Sequence, residues 1–289
     1  MPRGKLENRR APAGERGGEG GHMQAGYLQF EPVFGKPEEN LEAIERIALG
    51  HAAGADLLVI PELATTGYLF LSKEEALSLA EAFSGGATER CLSKIARELD
   101  AVVVGGFAER SGDLLYNSCA LVRPDGTSHV YRKAQLFMNE KDIFTPGDTP
   151  LEPVRGAGTD LGLMICFDWY YPEVMRVLAL GGAKVFCHPS NLVLPHCPES
   201  MRTRCLENRV FAITANRVGA DVRGESGLSF IGMSQVIAPD GRVLLRAPSN
   251  GTHVGIVEID PSLAENKDIT PRNRWTDDRR SDLFRRLAD

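Results

Sequence analysis

Leu161-Gly-Leu-Met-Ile165-Cys166-Phe167-Asp168-Trp169-Tyr170-Tyr171-Pro172-Glu173 is a short apolar run that reads as a buried strand and ends on a cysteine. Pro172 then opens the amphipathic pattern Val174-Met175-Arg176-Val177-Leu178-Ala179-Leu180, as proline does at the first position of a helix. Cys166 therefore sits on a strand-to-helix turn. Such a turn holds a side chain in one direction on a rigid scaffold and leaves room above it, which is what a nucleophile requires. The competing reading is a small hydrophobe at a strand end, because free cysteine is among the most buried residue types.

Outward from this stretch, strands and helices alternate. Gln24 to Phe30 reads as a strand and Pro37 to Ala53 as a helix stopped by Gly54. Ala55 to Ile60 is a buried strand running into Pro61-Glu62, followed by helices near Lys73 to Phe83 and Ala87 to Leu99 and a strand from Ala101 to Phe107. Tyr116 to Val122 and Thr127 to Lys133 flank Pro124-Asp-Gly126, a hairpin signal, so the sheet is not purely parallel. Beyond Cys166 come a strand from Ala183 to Pro189, a helix near Pro198 to Asn208 and a strand from Val210 to Asn216. A strand-rich end follows, with Leu228 to Ala238 as one element, Arg242 to Ala247 and Gly255 to Ile259. Strands interleaved with helices, plus hairpins, predict an α/β fold of mixed sheets covered by helices.

Residues 1–22 are rich in Gly, Arg, Glu and Pro and too poor in apolar side chains to offset the entropy of ordering, so they read as a disordered extension. Residues 23–289 read as one domain with a C-terminal arm from about 261. A net charge of −6 with both signs spread along 289 residues gives no basic patch for nucleic acid or anionic membrane, and no stretch is apolar enough to span a bilayer. The six cysteines (91, 119, 166, 187, 197 and 205) form no Cys-x-x-Cys pair and several sit in apolar runs, which fits reduced thiols in a cytoplasmic protein.

Three more residues stand where chemistry can use them. Glu62 follows a buried strand directly, and a carboxylate there must be paired or functional because desolvating it alone costs several kcal/mol. Lys133 closes Val130-Tyr131-Arg132, and Glu140 sits in Met138-Asn-Glu-Lys-Asp142. Each alone fits an ordinary cap, surface lysine or exposed acid. Cys187-His188 with His196-Cys197 offers four zinc-ligand types, but neighbours on a strand point to opposite faces and the spacing matches no common zinc pattern, so no metal is assigned. Without a Walker loop or Gly-x-Gly-x-x-Gly, no cofactor is implied.

Taken together, Pro61-Glu62-x5-Tyr68, Tyr131-Arg-Lys133-x-x-Leu-Phe137 with Glu140 and Phe144-x-Pro-Gly-Asp148, Ile165-Cys166-x-Asp168-x3-Pro-Glu173, and Arg204-x-x-Glu207-Asn208 with Ala215-Asn216 resemble the ordered signature blocks of the nitrilase superfamily, the carbon-nitrogen hydrolases. The resemblance covers roughly residues 23–270. It implies a four-layer α-β-β-α sandwich, a catalytic triad of Glu62, Lys133 and Cys166, and homodimers or larger homo-oligomers. Glu140 is then a second acid, Phe167 supplies a backbone donor and Glu207 supports the site. Tyr68, Asp168, Trp169, Tyr170 and Asn191 become substrate-binding candidates, with Phe137 and Phe144 either beside them or in the core.

Chemistry explains those types. Holding a thiolate at neutral pH costs about 2 kcal/mol, and a carboxylate that is to keep the thiol's proton starts about 6 kcal/mol mismatched. Glu62 must therefore occupy a dry pocket that raises its pKa, and Lys133 is expected to lower the thiol's pKa and stabilise an oxyanion. The expected reaction is hydrolysis of a small amide or N-carbamoyl compound through a thioester, since Cys166-Phe-Asp departs from the Cys-Trp-Glu common in nitrile-hydrolysing members. The alternatives are a nitrilase, or a catalytically silent binding protein on the same fold.

Overall fold

The computed structural model describes residues 21–287, so residues 1–20 of the expected extension lie outside the described residues. The strands are β1 (Met23–Gln29), β2 (Leu57–Val59), β3 (Val102–Ser111), β4 (Leu114–Val122), β5 (Ser128–Arg132), β6 (Val154–Gly156) and β7 (Thr159–Leu163). They continue with β8 (Val185–Ser190), β9 (Phe211–Asn216), β10 (Ala220–Arg223), β11 (Ser226–Ser229), β12 (Gln235–Ile237), β13 (Val243–Arg246), β14 (His253–Ile259), β15 (Asp268–Thr270) and β16 (Asn273–Arg274). The α-helices are α1 (Pro37–His51), α2 (Lys73–Leu79), α3 (Ala87–Leu99), α4 (Glu140–Ile143), α5 (Pro172–Leu180) and α6 (His196–Asn208).

Two six-stranded mixed sheets form the centre, in the orders β14-β1-β2-β3-β4-β5 and β13-β12-β9-β8-β7-β6. Side-chain alternation sorts the layers. Ala25, Tyr27, Leu57, Val59, Val102 and Val104 join the core shared with the second sheet, whereas Leu28, Leu58, Ile60 and Val103 pack with Ile44 and Ala48 of α1 and Leu92 and Ile95 of α3. On the far side, Val174, Met175 and Leu178 of α5 and Met201 and Cys205 of α6 cover the second sheet. The expected four-layer α-β-β-α sandwich is the architecture found. Runs such as Leu57-Leu-Val59 are apolar at every position because both faces are covered.

Two expectations change. The strand expected over Leu228 to Ala238 is interrupted, because Gly232 and Met233 both adopt left-handed backbone (φ +59° and +58°) and turn the chain between β11 and β12. The helix expected to Phe83 stops at Leu79, since Ala80 is extended and Glu81 bridges to Glu109 on β3. In the C-terminal arm, Trp275 is buried within its own chain, 4.3 Å below the Arg176 guanidinium, while Leu283 and Phe284 remain exposed.

Candidate active site

Glu62, Lys133 and Cys166 come from the ends of three different strands. Glu62 follows β2, where the chain passes so close to β3 that a Cβ on Gly106 would lie 2.5 Å from the Glu62 Cα. Only glycine admits that approach. Lys133 follows β5, its N–H donating to the Asn117 carbonyl at 2.8 Å and its carbonyl accepting from Gly147 N–H at 2.8 Å. Cys166 opens a 3-10 turn, Cys166–Tyr170, between β7 and α5. Its φ of +41° is one of seven left-handed non-glycine positions among the described residues, and Leu63 (+44°) and Met138 (+46°) also flank the site. Strain of this kind, of order 1–3 kcal/mol per residue, persists only where surrounding contacts enforce it.

The buried Lys133 ammonium donates to Glu62 Oε1 at 2.7 Å and Glu140 Oε1 at 2.8 Å. Asn117 Nδ2 also donates to Glu62 Oε1 at 2.7 Å, and the Tyr68 hydroxyl to Glu140 Oε1 at 2.6 Å. Glu62 Oε2 is buried with no protein partner among the described residues. Burial opposes the Lys133 charge, but Glu140 and Glu62 outweigh it and hold the ammonium above its usual range. Burial raises the Glu62 pKa more than Lys133 lowers it, as the sequence required. Lys133 pulls on the Cys166 thiol in the expected direction, but it is outweighed. Burial, with Glu62 and Glu140 adding to it, raises its pKa well above normal even though Lys133 and the Asn191 backbone N–H pull it down. In this site burial favours the neutral thiol over the thiolate.

Of the other candidates, Tyr68 and Glu140 line a cavity of about 340 Å³, together with Phe70, Phe137, Phe144 and Leu228. Asn191 is buried beside Cys166, and neither polar atom of its side chain has a protein partner among the described residues. Glu207 pairs with Arg204 at 2.9 Å, and Arg204 Nε donates to the Trp169 carbonyl at 3.3 Å, so α6 braces the turn. Phe167 stacks on Tyr170 and lies against Phe137. Trp169 packs against the core and Tyr170 is exposed, and neither lines the cavity.

Asp168 points inward as a clamp. Its Oδ2 accepts from Ile165 N–H and the Tyr131 hydroxyl, both at 2.8 Å, and its Oδ1 from Gln135 N–H at 2.9 Å. Burial pushes its carboxyl up to about 6 against those donors. Asp168→Asn should set an amide N–H₂ against a donor and lower stability by roughly 1–3 kcal/mol, read as a shifted denaturant midpoint at unchanged slope. Asn117 and His188 join the site from outside its signature blocks, and the one sequence signal each carries is a polar residue inside an apolar strand. His188 contributes to no metal cluster among the described residues: its Nε2 lies 2.9 Å from the Cys166 carbonyl and its Nδ1 3.1 Å from the Thr214 hydroxyl. Burial keeps its pKa low, at about 4.

Comparison with known proteins gives this geometry a family. The chain is 41% identical over 263 residues to a nitrilase of Pyrococcus abyssi, covering 91% of this chain and 99% of that one. It is 37% identical over 250 residues to an (R)-stereoselective amidase of Pseudomonas sp., covering 85% and 89%. Its fold matches a mutant amidase of Nesterenkonia sp. AN1 showing Michael addition of acrylamide at the active site cysteine, with a TM-score of 0.74, 25% identity and coverage of 92% and 99%. The carbon-nitrogen hydrolase family model matches residues 24–267, which takes in Glu62, Lys133, Glu140 and Cys166, and the chain belongs to that family, within the nitrilase superfamily.

Proposed function

We propose that this chain hydrolyses a non-peptide carbon-nitrogen bond of a small amide or N-carbamoyl compound, with Cys166 as nucleophile, Glu62 as general acid-base and Lys133 as fixed cation. The observation that carries the reading is the buried Glu62-Lys133-Glu140 cluster, whose unpartnered Glu62 Oε2 is free to accept a proton beside the Cys166 thiol. As sulfur attacks the carbonyl carbon, the thiol proton passes to Glu62 and the carbonyl oxygen becomes an oxyanion, stabilised by Lys133 and the Phe167 N–H. Collapse breaks the carbon-nitrogen bond, the departing nitrogen takes the proton from Glu62, and a thioester remains. Glu62 then deprotonates a water that attacks the thioester, and the second collapse releases the acid and returns the proton to Cys166. A cavity of about 340 Å³, walled by aromatic and aliphatic side chains together with polar ones such as Glu140 and Asn139, suits a small substrate, and the unpartnered Asn191 side chain offers its carbonyl and N–H₂ to the substrate's polar groups.

An amide brings an N–H₂ that needs an acceptor, which Glu62 Oε2 or Asn191 Oδ1 supplies, whereas a linear nitrile leaves those atoms unpaired. Matched amide and nitrile pairs should therefore show a higher kcat/KM for the amide, by about tenfold or more. The second reading, a nitrilase, is favoured by the 41% identity to the Pyrococcus abyssi protein, and a preference for the nitrile would transfer the chain to it. The site has no use for a metal or cofactor in this scheme. The exposed Tyr170, Tyr171, Val177, Leu180 and Leu206 around α5 and α6 support assembly through a homodimer. Six free, buried cysteines and the absence of any described helix able to cross a membrane fit a cytoplasmic setting.

A further inference from the structure

We infer that His188 is a positioning residue for the oxyanion donor: its ring holds the Cys166–Phe167 peptide so that the Phe167 N–H faces the carbonyl under attack. The inference rests on the proposed role of Cys166 as nucleophile.

In a trans peptide, the C=O of one residue and the N–H of the next point in opposite directions. Fixing the Cys166 carbonyl therefore fixes the Phe167 N–H. The left-handed Cys166 has left the β7 ladder, so its carbonyl has no strand neighbour to hold it there, and His188 Nε2 meets it at 2.9 Å. A carbonyl can only accept, so Nε2 must carry the proton. The surroundings enforce that tautomer: the Thr214 hydroxyl at 3.1 Å is left to donate to Nδ1, and Ser190 Oγ, 3.1 Å from Nε2, can turn its own proton to the His188 carbonyl at 3.3 Å. His188, Ser190 and Thr214 are all buried on the adjacent strands β8 and β9. Three polar side chains in a sheet core are costly unless mutually satisfied, and here their bonds converge on one backbone carbonyl behind the nucleophile. A hydrogen bond accepted at that carbonyl also polarises the peptide and strengthens its N–H as a donor on the far side.

Substitution separates this role from simple support of the cysteine. His188→Leu is expected to lower kcat on a small amide about 100-fold, the effect of losing one oxyanion donor, while KM changes less than about threefold. Alkylation of Cys166 by iodoacetamide displaces iodide at a saturated carbon and builds no oxyanion, so its rate should stay within about threefold of the parent. His188→Gln, whose terminal N–H₂ reaches the same carbonyl, should recover most of the kcat. Thr214→Val leaves the tautomer free to change and should cost about tenfold in kcat with alkylation again unchanged. Full kcat in His188→Leu, alkylation falling in step with kcat, or a Gln variant as slow as the Leu variant would each overturn the inference. If His188→Leu does not fold, unchanged kcat in Thr214→Val overturns it instead. Turnover that survives complete alkylation of Cys166 would instead sink the proposed reaction itself.

Discussion

Cys166→Ala should reduce turnover by about four orders of magnitude or more, and during turnover intact mass spectrometry should find the acyl adduct on Cys166 alone. The other five cysteines are also buried, and desolvation raises the pKa of every one of them. Cys166 differs in its company. It alone among them has Glu62, Lys133 and Glu140 all acting on its thiol, together with a backbone N–H aimed at it from Asn191. Full activity in Cys166→Ala, or an adduct on Cys187 or Cys205, would remove the nucleophile from the proposed mechanism.

Glu62→Gln should lower kcat by two or more orders of magnitude with little change in stability, because it preserves shape and removes the base. Lys133→Ala should cost as much in rate, since the oxyanion loses its fixed cation. The fold, however, should not be indifferent to Lys133, as the sequence by itself would allow. Its ammonium is the shared partner of two buried carboxylates, so removing it leaves Glu62 and Glu140 uncompensated and should lower stability by about 3–5 kcal/mol. Because the residues act as a unit, Glu62→Gln combined with Lys133→Ala should turn over little more slowly than the worse single variant. Additive losses, measured on variants shown to be folded by circular dichroism, would argue against a shared step.

What the sequence made legible was local. The turn at Cys166 and the buried run before Glu62 follow from apolar patterning over a few residues, and α3 runs over Ala87–Leu99 as its amphipathic pattern indicates. What it hid was direction and company. Asp168, Trp169 and Tyr170 are neighbours of Cys166 in sequence, yet a 3-10 turn fans its side chains around the axis. One becomes a buried clamp, one packs into the core and one stands in solvent. The cavity wall combines Tyr68, Phe137 and Phe144 from the signature blocks with Phe70 and Leu228, which no short window brings together. The pull of Lys133 on the thiol was legible, but the desolvation that outweighs it was not, because that depends on how completely two sheets close over the sulfur.

The pairing of β14 with β1 sets a timetable for the nascent chain. Gln29 opposes His253 and Met23 opposes Ile259, so β1 waits for a strand made more than 220 residues later. At roughly 5–20 residues per second, the unpaired edge of β1 stays open for on the order of 10–45 seconds. Throughout that interval its backbone N–H and C=O groups are a template for any other extended chain, and such long-range closure is also slow. A protein arranged in this way needs its early hairpins and helices to shelter that edge, or a chaperone to hold it, until Ile259 has emerged.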